Sequence, residues 1–383
     1  MPAKTKVPDG FSDIAKFWED ENASVLSYLK KNFNVPAFPT LPKKPELEGR
    51  AVSKAYPIQG ILKYHGICDW EWRTTFMPSV SLNNDAAYTV TSVEFDKSLA
   101  GDEVEINGAK ALGRESERVT HLLDKVRKYA GSNTPARVVS KNVIKAKKTG
   151  KGLGTSASAS AALATAAISA AWGANYAKNT TLTSAFGRLL AGSGCRSAAG
   201  GISVWLSYPG IAHEDSFSVR VDGGKFADMR LVTIPIDSRI KLKTEIAHHH
   251  APLSPFFKEW AMLRKKQMKE FFAHLEADDW EAVAKMAEAD TLLLHSVTMG
   301  HFVEVAWEPE TLAVMRMCGT LRDAGTPVYY SIDTGPTVVL MTDKSGLKAV
   351  ASGIRQVKSE YGFDLESVEG RVAGPSTLVE KYE

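Results

Sequence analysis

The feature that most constrains this chain is a glycine- and serine-rich loop that runs directly into a stretch of small side chains, residues 151–164 (KGLGTSASASAALA). Glycines let the backbone bring unshielded N–H groups close to an anion, and the positive dipole end of a following helix adds to the attraction. The segment therefore predicts a phosphate-binding loop, with a flexible linker or a tightly packed small-residue helix as the structural alternative. The residues that would offer N–H groups or hydroxyls to the phosphate are Gly152, Gly154, Thr155, Ser156 and Ser158.

Length and composition narrow the class of protein. A chain of 383 residues with 44% hydrophobic side chains is long and apolar enough for one large or two modest cores. The net charge is only +3, and the sequence has no cluster of Lys and Arg of the kind found in nucleic-acid-binding proteins. We therefore expect no nucleic-acid partner. The sequence shows neither the apolar core of a signal peptide nor an uninterrupted apolar span, so we expect no membrane association. Three widely spaced cysteines without a CxxC pair fit a cytoplasmic protein.

The first fifty residues form a distinct segment. Apolar side chains recur at helical spacing over residues 12–32, which predicts an amphipathic helix packed on the main body or on a partner chain. Residues 35–45 hold four prolines and are predicted to be a linker. We therefore expect an N-terminal extension over residues 1–50.

Strand-like and helix-like patterns alternate along the rest of the chain. The predicted strands cover residues 51–62, 86–95, 104–106, 136–142, 201–208, 229–235, 328–333 and 337–342. The predicted helices cover residues 115–130, 255–275, 280–297 and 309–324. This order predicts an α+β fold, with helices on one face of a split sheet in the second half.

Five segments resemble motifs of a known family. The glycine-rich loop resembles the GLxSSAA loop of the GHMP small-molecule kinase superfamily. The other four resemble motifs of one branch, the mevalonate diphosphate decarboxylases, and occur in that family's order. They are residues 61–66 (ILKYHG, resembling IKYWG), 77–84 (MPSVSLNN, resembling LPxNSSLS), 192–201 (GSGCRSAAGG, resembling GSGSACRSLFGG) and 331–340 (SIDTGPTVVL, resembling TFDAGPNAVL).

The resemblance implies a two-lobed GHMP-kinase-like fold with the active site in the cleft between the lobes. It divides the chain after the extension into an N-terminal lobe that carries the phosphate loop, residues 51–210, and a C-terminal lobe, residues 211–383. It also implies a decarboxylase that acts as a homodimer on a small phosphorylated mevalonate.

The same resemblance assigns catalytic roles to Lys63, Arg196 and Asp333. Lys63 ends an apolar strand, which would lead its ammonium toward an interior cleft. Arg196 offers a planar fork that matches a carboxylate or phosphate with two hydrogen bonds. Asp333 precedes a Thr-Gly-Pro turn that would present its carboxylate at a strand end. Tyr64 and Ser193, which lie in the same motifs, are implied to bind substrate.

Three departures from the family are informative. Ile67 replaces a lysine that helps the family to hold the phosphates of ATP. The approach to the glycine-rich loop is two residues longer, and residues 247–255 (AHHHAPLSP) replace a Ser/Thr-rich segment. Consecutive histidines diverge on a helix or strand, so we predict no metal site and interpret 247–255 as a loop that lines the cleft or faces solvent. The longer approach carries lysines that we interpret as a solvated cluster able to reach a substrate phosphate, Lys145, Lys147, Lys148 and Lys151.

The loss of the ATP-binding lysine, with the catalytic set kept, predicts a relative whose substrate arrives already phosphorylated on its tertiary hydroxyl. The resemblance is then to archaeal mevalonate 3,5-bisphosphate decarboxylases, which form isopentenyl phosphate, CO₂ and phosphate without ATP, so we expect no cofactor. The alternatives are an ATP-dependent phosphomevalonate or diphosphomevalonate decarboxylase and a mevalonate 3-kinase, a branch in which the catalytic Lys and Asp are replaced. A non-catalytic phosphate sensor is a further alternative.

Overall fold

The computed structural model describes residues 4–147, 152–240, 244–302 and 305–382. The α-helices are α1 Ser12–Asn32, α2 Arg114–Ala130, α3 Thr155–Trp172, α4 Ala174–Ala177, α5 Thr180–Gly187, α6 Gly194–Ala199, α7 Thr244–His250, α8 Phe257–Glu276, α9 Trp280–Phe302, α10 Pro309–Asp323 and α11 Leu347–Tyr361. The strands are β1 Arg50–Ala55, β2 Ile58–Leu62, β3 Ser79–Asn83, β4 Ala87–Phe95, β5 Glu103–Ile106, β6 Ala109–Lys110, β7 Ala136–Ile144, β8 Ile202–Trp205, β9 Ser218–Arg220, β10 Arg230–Ile234, β11 Tyr329–Ser331, β12 Val338–Thr342, β13 Val368–Arg371 and β14 Thr377–Val379. Within these ranges no helix is both long and apolar enough to cross a bilayer.

The strands form a six-stranded sheet in the order β14-β1-β4-β7-β5-β6 and two four-stranded sheets, β2-β3-β8-β9 and β11-β12-β10-β13. The α+β fold predicted from the sequence is confirmed. The single strand predicted over residues 51–62 is wrong, because β1 and β2 belong to different sheets. Pro57 lies between them, and proline has no N–H to donate to a ladder. The chain therefore changes sheet immediately before the strand that carries Lys63.

Helix α3 is buried on nearly all sides, and its small side chains allow close packing against the six-stranded sheet. The Ser53 hydroxyl on β1 donates to the Ala162 carbonyl at 2.5 Å. A Cβ built on Gly49 would lie 1.9 Å from the Ala170 carbonyl oxygen, so larger side chains would force the helix away. This packing fixes the N-terminal end of α3, and with it the glycine-rich loop, beside β2.

The third sheet is covered by helices on both faces, so the prediction of helices on one face is wrong. Strands β10 and β12 are buried at every position. Alternate residues explain this burial, because Leu231 packs into a cluster with α8 and α9, whereas its neighbour Val232 packs into a cluster with α10 and α11. Strands β11 and β12, which lie on either side of the turn that carries Asp333, thus belong to a sheet that is packed on both faces.

The N-terminal helix α1 has the bounds predicted from its periodicity and packs on the main body. Ile14 and Trp18 join an apolar cluster with Phe76 and Phe257, close to the residues that follow β2. The proline-rich stretch after α1 has no regular secondary structure, and its carbonyl oxygens accept hydrogen bonds from side chains on α3 and α5. The extension is therefore anchored along its length.

We predict that Trp18→Ala will lower the free energy of unfolding by about 3–5 kcal/mol, because the fully buried indole leaves a large cavity. Lys16→Ala, on the exposed face of the same helix, is the matched control and should change it by less than about 0.5 kcal/mol. Denaturant titration of both variants measures the difference. Equal stabilities would show that α1 is not an integral part of the core.

Candidate active site

A cavity of about 690 Å³ opens where the glycine-rich loop, the end of β2, the start of α6, the turn between β11 and β12, and α7 meet. This arrangement brings residues from four of the five sequence motifs to one surface. The predicted site residues that line it are Lys63, Tyr64, Gly152, Gly154, Thr155, Ser156, Ser193, Arg196 and Asp333.

The Lys63 ammonium is buried, and it donates three hydrogen bonds within the protein. It donates to the Gly60 carbonyl at 2.8 Å, to the Ser331 hydroxyl at 2.6 Å and to Asp333 Oδ1 at 2.8 Å. Lys63 is 2% exposed and Asp333 is 23% exposed, so the carboxylate is the member of the ion pair that faces the cavity. A Cβ on Gly60 would lie 2.8 Å from Asp333 Oδ1, so glycine is required for the pair to form. The result is a carboxylate whose orientation is set by a cation behind it.

A second ion pair, which sequence reasoning missed, lies beneath Lys63. Asp290 on α9 and Arg264 on α8 are both fully buried and lie 3.2 Å apart. Asp290 accepts the backbone N–H of Lys63 at 2.5 Å, and Arg264 donates to the Lys63 carbonyl at 2.7 Å. Trp260 and Gln267 also donate to Asp290, each at 3.0 Å. An aspartate inside the apolar pattern of a predicted helix was the available signal, but its partners become apparent only in the fold.

Arg196 has donors that the protein does not use. Its guanidinium lies 5.1 Å from the centre of the Tyr64 ring and 6.0 Å from that of Trp205, both within cation–π range. It is 2% exposed, and its Nε and Nη1 have no hydrogen-bond partner in the described part of the chain. These two nitrogens are completely buried, but Arg196 lines the cavity and forms no ion pair with a carboxylate of the described residues. Its positive charge is therefore available to an anion in the cavity.

The glycine-rich loop has the backbone geometry expected for phosphate binding. Gly152 and Gly154 have φ values of +99° and +69°, which disfavour residues with a side chain. A Cβ on Gly154 would also lie 2.8 Å from the Ile58 carbonyl oxygen. Ser158 does not line the cavity, because its hydroxyl donates to the Thr155 carbonyl at 3.0 Å and contacts the Thr89 hydroxyl at 2.7 Å. Its predicted contact with phosphate is therefore corrected to a structural role.

Two lysines of the cluster before the loop, Lys145 and Lys147, are among the described residues. Lys145 lies 3.7 Å from Asp85, and the Lys147 backbone N–H binds Glu366. Neither lysine lines the cavity. Lys148 and Lys151 lie outside the described residues, so the prediction that the cluster reaches a phosphate remains a prediction.

Three further arginines line the cavity and were not predicted, Arg73, Arg114 and Arg118. Arg118 uses Nε and Nη2 to bind the Leu190 carbonyl, at 3.1 and 2.7 Å. Burial and the nearby positive charges of Arg73 and Arg114 lower the pKa of Arg118 to about 10. Burial also lowers the pKa of Arg73. A cluster of like charges that lowers its own pKa values is stabilised by a multiply charged anion. The spacing of Arg114 and Arg118 on one helix face was the only sequence signal.

The histidine-rich segment forms helix α7, so the prediction of a loop there is wrong, although His248 does line the cavity. The three rings take different partners. His248 accepts the Gly66 N–H, His249 stacks on Trp70, and His250 bonds to His301. Their divergence follows from the 100° turn between successive helical residues.

Ile67 also lines the cavity, and it is 6% exposed. It follows Gly66 directly, at the position where the resemblance places a lysine. An apolar side chain offers no hydrogen bond to a phosphate oxygen. This wall of the cavity therefore lacks one cation of the family pattern.

Comparison with known proteins identifies the family of the chain. The diphosphomevalonate decarboxylase-like N-terminal domain model matches residues 55–218. A phosphomevalonate decarboxylase of Haloferax volcanii is 31% identical over 336 residues, which are 87% of this chain and 99% of that protein. A mevalonate 3,5-bisphosphate decarboxylase of Thermoplasma acidophilum is 28% identical over 320 residues, which are 83% of this chain and 77% of that protein. The solved structure of the mevalonate diphosphate decarboxylase from Enterococcus faecalis is 26% identical, with a TM-score of 0.76 over 87% of this chain and 99% of that one.

The similarity to the Haloferax protein extends over nearly its whole length, and the fold agrees with that of the solved relative. The resemblance inferred from the motifs is confirmed. The chain belongs to the mevalonate diphosphate decarboxylase family of the GHMP superfamily, a family of carbon–carbon lyases.

Proposed function

We propose that this protein converts mevalonate 3,5-bisphosphate into isopentenyl phosphate, CO₂ and inorganic phosphate without ATP. The observation that carries the proposal is the charge distribution of the cavity. Its described lining includes the cations Lys63, Arg73, Arg114, Arg118 and Arg196. Only two carboxylates, Asp333 and Glu245, oppose them among the same residues, and Glu245 is paired with Arg114. A ligand with two phosphates and a carboxylate matches this excess.

The proposed reaction breaks two σ bonds and forms two π bonds, the C=C bond of the alkene and the second C=O bond of CO₂, which takes its electron pair from a carboxylate oxygen. The C–C bond to the carboxylate gives its electron pair to the new double bond as CO₂ leaves, and the tertiary C–O bond gives its pair to the departing phosphate. Positive charge develops at the tertiary carbon and negative charge on the phosphate, so fixed cations beside the phosphate lower the barrier. Arg196 and the N–H groups of the loop at Gly152 and Gly154 would supply this stabilisation. Lys63 would hold Asp333 near the developing positive charge.

Independence from ATP is supported by Ile67, which leaves the cavity wall without the family's nucleotide-binding cation. One lost charge-assisted hydrogen bond weakens binding by roughly ten- to hundred-fold. The Thermoplasma relative, named a mevalonate 3,5-bisphosphate decarboxylase, agrees with this route. A cytoplasmic homodimer, expected from the sequence, belongs to the same proposal, and analytical ultracentrifugation tests the dimer.

A second candidate, ATP-dependent decarboxylation of mevalonate 5-phosphate, is favoured by the geometry of Asp333. A carboxylate oriented by Lys63 and partly exposed to the cavity has the form of a base that removes the proton from a hydroxyl before phosphoryl transfer. The Haloferax relative is named a phosphomevalonate decarboxylase. Both candidates give isopentenyl phosphate, and they differ in which enzyme phosphorylates the tertiary hydroxyl.

The two candidates are separated by supplying purified protein with mevalonate 3,5-bisphosphate alone, or with mevalonate 5-phosphate and Mg-ATP, and measuring CO₂ and ADP. We expect CO₂ from the bisphosphate without nucleotide and no ADP from the second mixture. ADP formed in step with CO₂ from mevalonate 5-phosphate would replace the proposal by the second candidate. No CO₂ from either mixture would remove both candidates.

We predict that Asp333→Asn lowers turnover by at least ~10²-fold, because the neutral amide loses both the ion pair with Lys63 and the charge facing the cavity. Asp323→Asn, at an exposed position near the end of α10, is the matched control and should turn over at the wild-type rate. Steady-state kinetics with thermal unfolding of each variant measures both effects. A folded Asp333→Asn protein within a few-fold of wild-type turnover would exclude Asp333 from the reaction.

A further inference from the structure

His248 lies in the cavity wall, and its ring is held parallel to that of Tyr64. The ring is stacked on Tyr64 with 7° between the planes and 5.2 Å between the centres. Its Nδ1 accepts the backbone N–H of Gly66 at 3.2 Å. The stacking and the hydrogen bond together fix both the position and the orientation of the imidazole.

The hydrogen bond from Gly66 also fixes the tautomer. A nitrogen that accepts an N–H cannot carry a proton itself, so the proton of a neutral ring must be on Nε2. The ring is neutral because burial, followed by nearby His65, Arg73 and His249, holds the pKa of His248 well below its usual value. His248 therefore offers one N–H donor and no charge.

That donor has no acceptor in the described part of the chain. The hydrogen bond found for the His248 ring is the one from Gly66, and it uses Nδ1. Nε2 of His248 is also accessible, whereas both ring nitrogens of His65 are completely buried. Because His248 is half-buried and lines the cavity, Nε2–H remains available to a ligand there.

We propose that His248 is a substrate-binding residue that donates a hydrogen bond from Nε2 to an anionic oxygen of the substrate. This inference rests on the proposed function, because it takes a phosphorylated mevalonate as the ligand. A neutral donor adds direction without adding another charge to a cavity that already holds Arg73, Arg118 and Arg196. Arginine neighbours supply attraction, and His248 would select the position of the anion between them.

Two substitutions of His248 distinguish the role of Nδ1 from that of Nε2. His248→Asn places an amide oxygen near Nδ1, which keeps an acceptor for Gly66 but removes the donor at the Nε2 position. His248→Gln places an amide N–H near Nε2, which keeps that donor. His249→Asn, at an exposed position on the same helix, is the control. Calorimetry with mevalonate 5-phosphate and with unphosphorylated mevalonate distinguishes a phosphate oxygen from the carboxylate.

We expect His248→Asn to weaken binding of mevalonate 5-phosphate by about ten- to hundred-fold, as for one lost hydrogen bond to a charged group. The KM of the turnover substrate should rise by a similar factor while kcat changes by less than about five-fold. His248→Gln should recover most of the affinity. Binding of mevalonate should be unaffected if the acceptor is phosphate and weakened if it is the carboxylate.

Wild-type affinity in a folded His248→Asn protein would overturn the inference. Equal loss in the Asn and Gln variants, with lowered melting temperatures in both, would also overturn it, because only the structural bond to Gly66 would then matter. A wild-type protein that neither binds mevalonate 5-phosphate nor turns over mevalonate 3,5-bisphosphate would instead overturn the proposed function, and the role of His248 as a substrate ligand with it.

Discussion

The buried charges beneath the cavity are the constraint on which the rest of the site depends. Arg264 and Asp290 lie in the core, where an ion is tolerated only when it is paired and hydrogen-bonded. Each of them also forms one hydrogen bond with the backbone of Lys63. This contact fixes the end of β2, and the fixed end in turn sets where the ammonium meets Asp333. The positions of Lys63 and Asp333 are thus determined by residues that do not line the cavity.

Close packing positions the other side of the cavity. Helix α3 approaches the six-stranded sheet only because its side chains and Gly49 are small. The same approach brings Gly154 against the Ile58 carbonyl at the start of β2, so the loop and the strand that carries Lys63 are in direct contact. The glycine-rich loop and the strand that leads to Lys63 are therefore held together by packing rather than by a flexible connection.

Much of the fold and site could be predicted, and the failures share a cause. Lys63, Arg196 and Asp333 lie in short motifs whose local sequence specifies their geometry, so the sequence predicts that they share a site. The pair of Arg264 and Asp290 could not be predicted, because the two residues lie on different helices and the local sequence of neither helix indicates which residue it will contact. The helices on both faces of the third sheet were missed for the same reason. Helix α7 was missed because consecutive histidines give no periodic signal.

Cleavage of the tertiary C–O bond is the central claim, and an isotope label tests it directly. Mevalonate 3,5-bisphosphate can be prepared with ¹⁸O as the oxygen that bridges the tertiary carbon and phosphorus. If phosphate leaves as the alkene forms, mass spectrometry will find one ¹⁸O in each released phosphate and one equivalent of isopentenyl phosphate. Unlabelled phosphate, with ¹⁸O retained in a tertiary alcohol, would mean that the P–O bond breaks and would contradict the account.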